Sequence, residues 1–288
     1  MGLTVTLDGM FQRMRRGWEL TKKAWGVIRA HPGLARLPLT GGILAVVSGI
    51  IFILPGAALL TTESTAAKIG GVVLVAIGAY LASFFVIYFN VALAAAADQA
   101  LRGEEPNVKA ARAVARSRLG VIAQWALVSA VVSVVLSTLR ERGGAAGDIT
   151  AAIGGAIWSL ITFMVVPVLA FEGIGPFAAM KRSASLFRQR WGQQVTGNVV
   201  IGGLATLVIV VGALLMVLGV FVAAAGNAGA AIGGGAIIVI GLVVAVAGAV
   251  FAGATRGVFG VALYRYVAED QALGPFTVQD LEGAARTR

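Results

Sequence analysis

The chain contains no cysteine and a single histidine, His31. Without thiols there is no disulfide, no thiolate metal site and no cysteine nucleophile. One imidazole builds a metal site only beside a cluster of carboxylates, and no such cluster falls within an apolar run. His31 adjoins Pro32 and reads as structural. Charge is scarce as well. Charged residues make up 12% of the 288 positions, against about 25% in a soluble domain. Neither a Gly-x-Ser-x-Gly elbow nor a phosphate-binding loop occurs. The pair Glu104-Glu105 superficially resembles the paired glutamates of one intramembrane protease class. It stands just before Pro106, however, and reads as a helix start. No catalytic residue, cofactor or metal ligand is assigned, and the chain is not expected to be an enzyme.

Apolar sequence is abundant: 58% of residues are hydrophobic and the mean hydropathy is +0.90. The spacing of charges converts this composition into architecture. Uncharged stretches of 26, 29, 21, 23 and 65 residues follow Arg36, Lys68, Arg118, Asp148 and Arg190. A helix crosses the hydrocarbon core with about 20 apolar residues, so the first four stretches hold one span each. The fifth holds two, broken near Gly226-Asn227-Ala228-Gly229. The expected fold is therefore all-α: a polytopic membrane bundle of six helices, at about 37–60, 70–97, 119–139, 150–171, 194–224 and 234–264. Helices are required because backbone groups in lipid must pair within the segment, and the runs lack the alternation of a barrel. Residues 1–36 form a cytoplasmic amphipathic segment, 37–266 the membrane domain and 267–288 a cytoplasmic tail. No cleavable signal is visible before the first apolar run, which is expected to double as a signal anchor.

The net charge of +10 follows from topology. Nineteen Lys/Arg fall in the N-terminal segment, the second and fourth loops and the tail, counting Arg265 just ahead of it; only Lys68, Arg140 and Arg142 fall on the other side. By the positive-inside rule both termini are cytoplasmic. The location expected is the cytoplasmic (inner, plasma) membrane of a prokaryote. Nucleic acid is not needed as a partner to explain the basic excess.

Three amphipathic helices are expected on the cytoplasmic side, each ahead of an odd-numbered span. In the first, Leu7, Phe11, Met14, Trp18, Thr21, Trp25 and Ile28 share a face, and Pro32-Gly33 closes the helix. In the fourth loop, Phe177, Met180, Ala184, Phe187 and Trp191 do the same after Pro176. The second loop holds a weaker copy, with Val108, Ala111 and Ala115. Such helices lie flat among the headgroups. Lys22-Lys23 to Arg29 and Lys181-Arg182 to Arg188 share one spacing, which raises the reading of three repeated units of interfacial helix plus hairpin.

The run Ala156-Ile157-Trp158, Val166-Pro167-Val168-Leu169, Glu172-Gly173-Ile174-Gly175-Pro176, Lys181-Arg182-Ser183 and Arg190-Trp191-Gly192 resembles an uncharacterised family of prokaryotic six-helix membrane proteins. Phe89-Asn90 and Leu101-Arg102-Gly103-Glu104 are similar to its pattern too. The resemblance covers nearly the whole chain. It implies fold and membrane location, and carries no activity.

Few polar residues remain inside the spans. Arg256 lies eight residues before Tyr264, roughly 12 Å deeper at about 1.5 Å per residue. An intramembrane arginine costs at least about 2.5 kcal/mol and normally has a partner. Asp98, Glu172 and Asn90 are the candidates. Arg256 is then either an anion-binding or gating charge, or it snorkels to the headgroups or sits in a structural ion pair. Asn90, Gln124 and Asn198 suit bonds between helices. Pro55 and Pro167 can break the first and fourth spans and free carbonyls for a ligand. Gly229-xxx-Gly233 and Gly253-xxx-Gly257 permit close helix approach. The favoured function is a non-enzymatic scaffold that organises lipid or binds protein partners, itself included. Its anionic-lipid contacts are Lys22, Lys23, Arg29, Lys181, Arg182, Arg188 and Arg190. The alternative is a small-solute permease or channel subunit with Arg256 and Asn90 near the path. A polar cavity beside Arg256 discriminates between the two.

Overall fold

The computed structural model describes residues 17–191, 203–225 and 228–283, and among them the only regular structure is helical. Helix α1 (residues 17–30) ends at Pro32, and α2 (Gly33–Leu60) follows directly. Then come α3 (Thr65–Leu101), α4 (Val108–Ser117), α5 (Leu119–Arg142), α6 (Gly144–Thr162), α7 (Val165–Phe171) and α8 (Pro176–Trp191). The chain closes with α9 (Gly203–Ala223), α10 (Ala228–Glu269) and the short α11 (Val278–Gly283). Helix starts follow local chemistry. Ser64 caps α3 by accepting from the Ala67 N–H, and Asn107 caps α4 by accepting from Ala110 at 3.1 Å. Helix α3 stops at Gly103, whose φ of +82° suits a residue without a Cβ.

Two prolines shape the apolar helices, as their sequence positions lead one to expect. Pro55 has no N–H for the Ile51 carbonyl, and the preceding turn, Gly49–Ile53, is π-helical, with Leu54 N–H reaching back to Gly49. Pro167 likewise cannot donate to the Phe163 carbonyl. The expected fourth span is accordingly split at Phe163-Met164 into α6 and α7.

Four helices among the described residues are long and apolar enough to cross a membrane: α2, α3, the stretch Leu119–Glu141 of α5, and Gly229–Glu269 of α10. A shorter apolar helix covers Val210–Ala223. Burial divides these helices lengthwise. The core gathers at one end, from Ile87 to Leu101 on α3 and Ala254 to Val267 on α10, together with Leu34, Leu37, Ile122, Met164, Leu169, Leu186 and Leu281. Towards the other end the helices are apolar on every side: Ile43, Ile50, Val72, Val131, Ile153, Leu214 and Val239 are all exposed. A water-facing helix carries a polar outer stripe; these do not, and exposed apolar surface on this scale marks an interaction surface such as lipid.

Helix α9 runs against α10 on glycine. A Cβ on Gly212 would fall 2.6 Å from the Gly241 carbonyl, and one on Gly219 2.7 Å from that of Gly234. Only bare backbone allows that approach. The glycines used are thus seven apart on each helix. By contrast Gly233 faces open space, and Gly253 makes only an ordinary contact, 3.6 Å from Pro38.

The amphipathic segments carry two faces. On α8, Ala179, Ser183 and Leu186 are buried, while Phe177 is 71% exposed. On α1, Leu20, Thr21, Ala24 and Ile28 pack inward and Trp18 is exposed. The large-residue stripe expected from periodicity is therefore partly an outer face, because the small residues beside it allow closer packing on the bundle. On α4, Ala111 and Ala115 are buried. The C-terminal region folds back: Phe276 and Leu281 join the core, and Asp280 on α11 pairs with Lys23 on α1.

Candidate functional site

Where α6 breaks into α7, the two flank α3 and α10 around a cavity of about 260 Å³. Arg256 and Asn90 both line it, with Ser159, Thr162 and Pro167 opposite. Its α10 wall is nearly all backbone, since Gly253, Gly257 and Gly260 surround Arg256. These glycines serve different ends. Gly257 is forced by Leu93, whose Cδ2 would lie 2.5 Å from an added Cβ, whereas Gly260 stands 3.9 Å from the Pro167 ring. Thr162 donates its hydroxyl proton to the Trp158 carbonyl at 2.7 Å. Asn90 is half-buried and Arg256 exposed. Among the described residues Arg256 forms no ion pair.

The two acidic candidates lie elsewhere. Asp98 is eight residues beyond Asn90 on α3, roughly 12 Å away at about 1.5 Å per residue. It takes a two-pronged contact from Arg265, Nε to Oδ1 at 2.8 Å and Nη2 to Oδ2 at 2.9 Å. Arg102 adds a third bond to Oδ2 at 3.2 Å. The Nη1 of Arg265 also donates to Glu269, and its guanidinium lies 4.2 Å over the Phe171 ring. Glu172 accepts from Arg182 Nε and Tyr264 OH, each at 2.9 Å. This network ties the ends of α3, α7, α8 and α10 together. Sequence reasoning left Arg265 among the tail cations. The signal available was local: Asp98/Arg102 and Arg265/Glu269 are both spaced i, i+4, but the bond between the two pairs needs α3 beside α10.

The basic residues expected at lipid divide in two. Lys23 and Arg182 are engaged internally, with Asp280 and Glu172. Lys22, Arg29, Lys181 and Arg188 are exposed, and Lys22 sits 5.3 Å over the Trp18 ring. The side chain of Arg190 and all of Asn198 lie outside the described residues. Gln124 is exposed, and its Oε1 approaches Gly175. Among the described residues no three of His, Cys, Asp and Glu gather as metal ligands do.

Long apolar helices, a packed charged end and a polar cleft at a helix break define a helical protein built around membrane-length segments. The chain belongs to the family of unknown function DUF6159, whose model matches residues 71–274. That span contains the helix break, the cavity and the Asp98–Arg265 network, in agreement with the resemblance to a family without an assigned activity. No curated protein and no solved structure matches the chain.

Proposed function

We propose that the protein is a six-span membrane protein of the prokaryotic inner membrane, with both termini cytoplasmic, that passes or holds a small anionic solute in the Arg256 cavity. The observation that carries this reading is Arg256 lining a polar cavity with no carboxylate paired to it among the described residues. A guanidinium at that depth is costly without a counter-charge, and a solute oxyanion supplies one through a forked pair of N–H bonds. Asn90, Ser159 and Thr162 add neutral donors and acceptors. About 260 Å³ falls below the usual range of drug-sized pockets, which favours a small carboxylate or phosphate. Helix breaks that free backbone carbonyls next to a site are the common device of transporters. The chemistry on offer is binding and passage, without bond making.

The test is uptake of small carboxylates and inorganic phosphate by proteoliposomes holding the full chain. Arg256→Gln is expected to lower anion flux at least about tenfold, the cost of one charged contact, with Arg256→Lys keeping part of it. Wild-type vesicles no leakier to any of these anions than empty ones would sink the reading.

A second reading is favoured by a separate observation. Lys22, Arg29, Lys181 and Arg188 are exposed on the same helices as the outward-facing Trp18 and Phe177. Cations beside apolar anchors suit the anionic inner leaflet, at about 1 kcal/mol each. Sedimentation with anionic against neutral liposomes, after charge reversal at Lys181 and Arg188, tests this surface apart from the cavity.

A further inference from the structure

A second, larger cleft of about 520 Å³ opens at the packed end, between α4 and the ends of α3, α7 and α10. Its lining carries two carboxylates and two guanidiniums, but they are not paired one to one. Asp98 and Glu269 line it, and both are taken up by Arg265 and Arg102. Arg118 lines it as well. That guanidinium forms no ion pair among the described residues, and its Nε is buried without a hydrogen-bond partner. The placement depends on a glycine behind it. Gly173 has a φ of +64°, and a Cβ there would fall inside the Arg118 guanidinium. A side chain at that position would therefore expel the cation as well as strain the turn. Arg118 is thus without an ion-pair partner among the described residues, because Arg265, helped by Arg102 from outside the cleft, engages both carboxylates.

We propose that this cleft is an anion site distinct from the Arg256 cavity, and that Arg118 there takes the phosphate of a phospholipid headgroup. A phosphodiester carries one negative charge and two oxygens that accept hydrogen bonds, the kind of partner guanidinium groups favour. Arg118 joins amphipathic α4, with Lys109 and Arg116 exposed, to the start of apolar α5, which is the level of the headgroups. Ala110, Val114 and Phe171 on the cleft wall give the glycerol and upper acyl chain an apolar seat. The inference rests on the membrane part of the proposed function and is independent of anion passage.

The experiment is native mass spectrometry of the full chain carrying phosphatidylglycerol or phosphatidylcholine, with a thermal-shift series in inorganic phosphate alongside. Wild type is expected to retain phosphatidylglycerol about tenfold over phosphatidylcholine, whose phosphodiester is offset by its own choline cation. Arg118→Gln should erase the preference, Arg118→Lys should restore part of it, and Arg140→Gln, on another part of the molecule, should leave it intact. If inorganic phosphate raises the Tm of wild type but not of Arg118→Gln, and no lipid preference is found, the site is a phosphate site fed from solution. Equal lipid retention and equal phosphate response in wild type and Arg118→Gln overturn the proposal. Should Arg118→Gln fail to fold, a headgroup-photoreactive phosphatidylglycerol on wild type decides. Adducts at 114–118 support the site; adducts confined elsewhere overturn it. Loss of flux in Arg256→Gln with lipid retention unchanged separates this site from the cavity.

Discussion

At the scale of single residues, two ion pairs carry different duties. Asp98 and Arg265 are 14% and 12% exposed at their side chains, so removing one partner takes the two-pronged contact from the other in a poorly hydrated place, while Arg102 stays on Asp98 or Glu269 on Arg265. Asp98→Asn or Arg265→Gln alone is expected to cost about 2 kcal/mol, short of the cost of a lone buried charge because a second partner remains. The double variant should cost clearly less than the sum, because both single variants remove the same contact. Denaturation in mild detergent measures this, and strict additivity would show that the pair is not coupled. Lys23 and Asp280 hold α1 to α11 at the surface. Burial raises the Asp280 carboxyl, but hydrogen bonds from Lys23 and from the Thr277 N–H and hydroxyl outweigh it and hold the group below its ordinary value. A carboxyl depressed in the folded state contributes above its unfolded pKa of about 3.9 and loses that contribution as pH falls through the folded value. Protection of the α11 amides, the exchange rate relative to that of an open chain at the same pH, should accordingly fall in acid below about pH 4. In Asp280→Asn protection should be low at every pH; an unchanged acid response in that variant would falsify the assignment.

At the scale of the element, proline and glycine act through backbone geometry. Pro167→Ala restores an N–H to meet the Phe163 carbonyl, so α6 and α7 should join into one helix. The expected outcome is closure of the cavity at Pro167 and weaker anion binding at unchanged or higher Tm. A variant that keeps full anion flux would detach the helix break from function. The α9/α10 seam is more brittle. Gly241→Leu places a side chain where the Gly212 carbonyl and Met216 already stand, at 2.7 Å and 2.8 Å from a bare Cβ. Thermal stability should fall by several degrees, the effect of about 1–3 kcal/mol of overpacking. Gly233→Leu, which faces open space, is the matched control.

At the scale of the whole molecule, the absence of cysteine makes orientation measurable. Single substitutions Glu63→Cys, after α2, and Glu105→Cys, between α3 and α4, introduce the only thiols. The proposed topology has an impermeant maleimide label the first in intact cells and the second only after lysis; the reverse pattern would turn the protein over. Much of the helical frame was legible in sequence. Charge-free stretches, Pro55 and Pro167 lie in local order along the chain, and helices in an apolar setting must satisfy their backbones locally. The glycine seam was legible only as an abundance of glycine, since which glycines meet depends on the rotation of one helix against another. The candidate site was half legible. Arg256 and Asn90 stand out as polar residues in apolar runs, but their separation from Asp98 and Glu172 is a matter of level along parallel helices. Local sequence thus determined much of where the helices run, where Pro55 and Pro167 disturb them, and that Arg256 and Asn90 fall within apolar runs. Tertiary packing alone decided that Asp98 answers to Arg265, that Glu172 answers to Arg182 and Tyr264, and that Arg118 and Arg256 are left facing cavities. Ion pairing across the bundle depends on distances between segments far apart in the chain, and no local pattern encodes them.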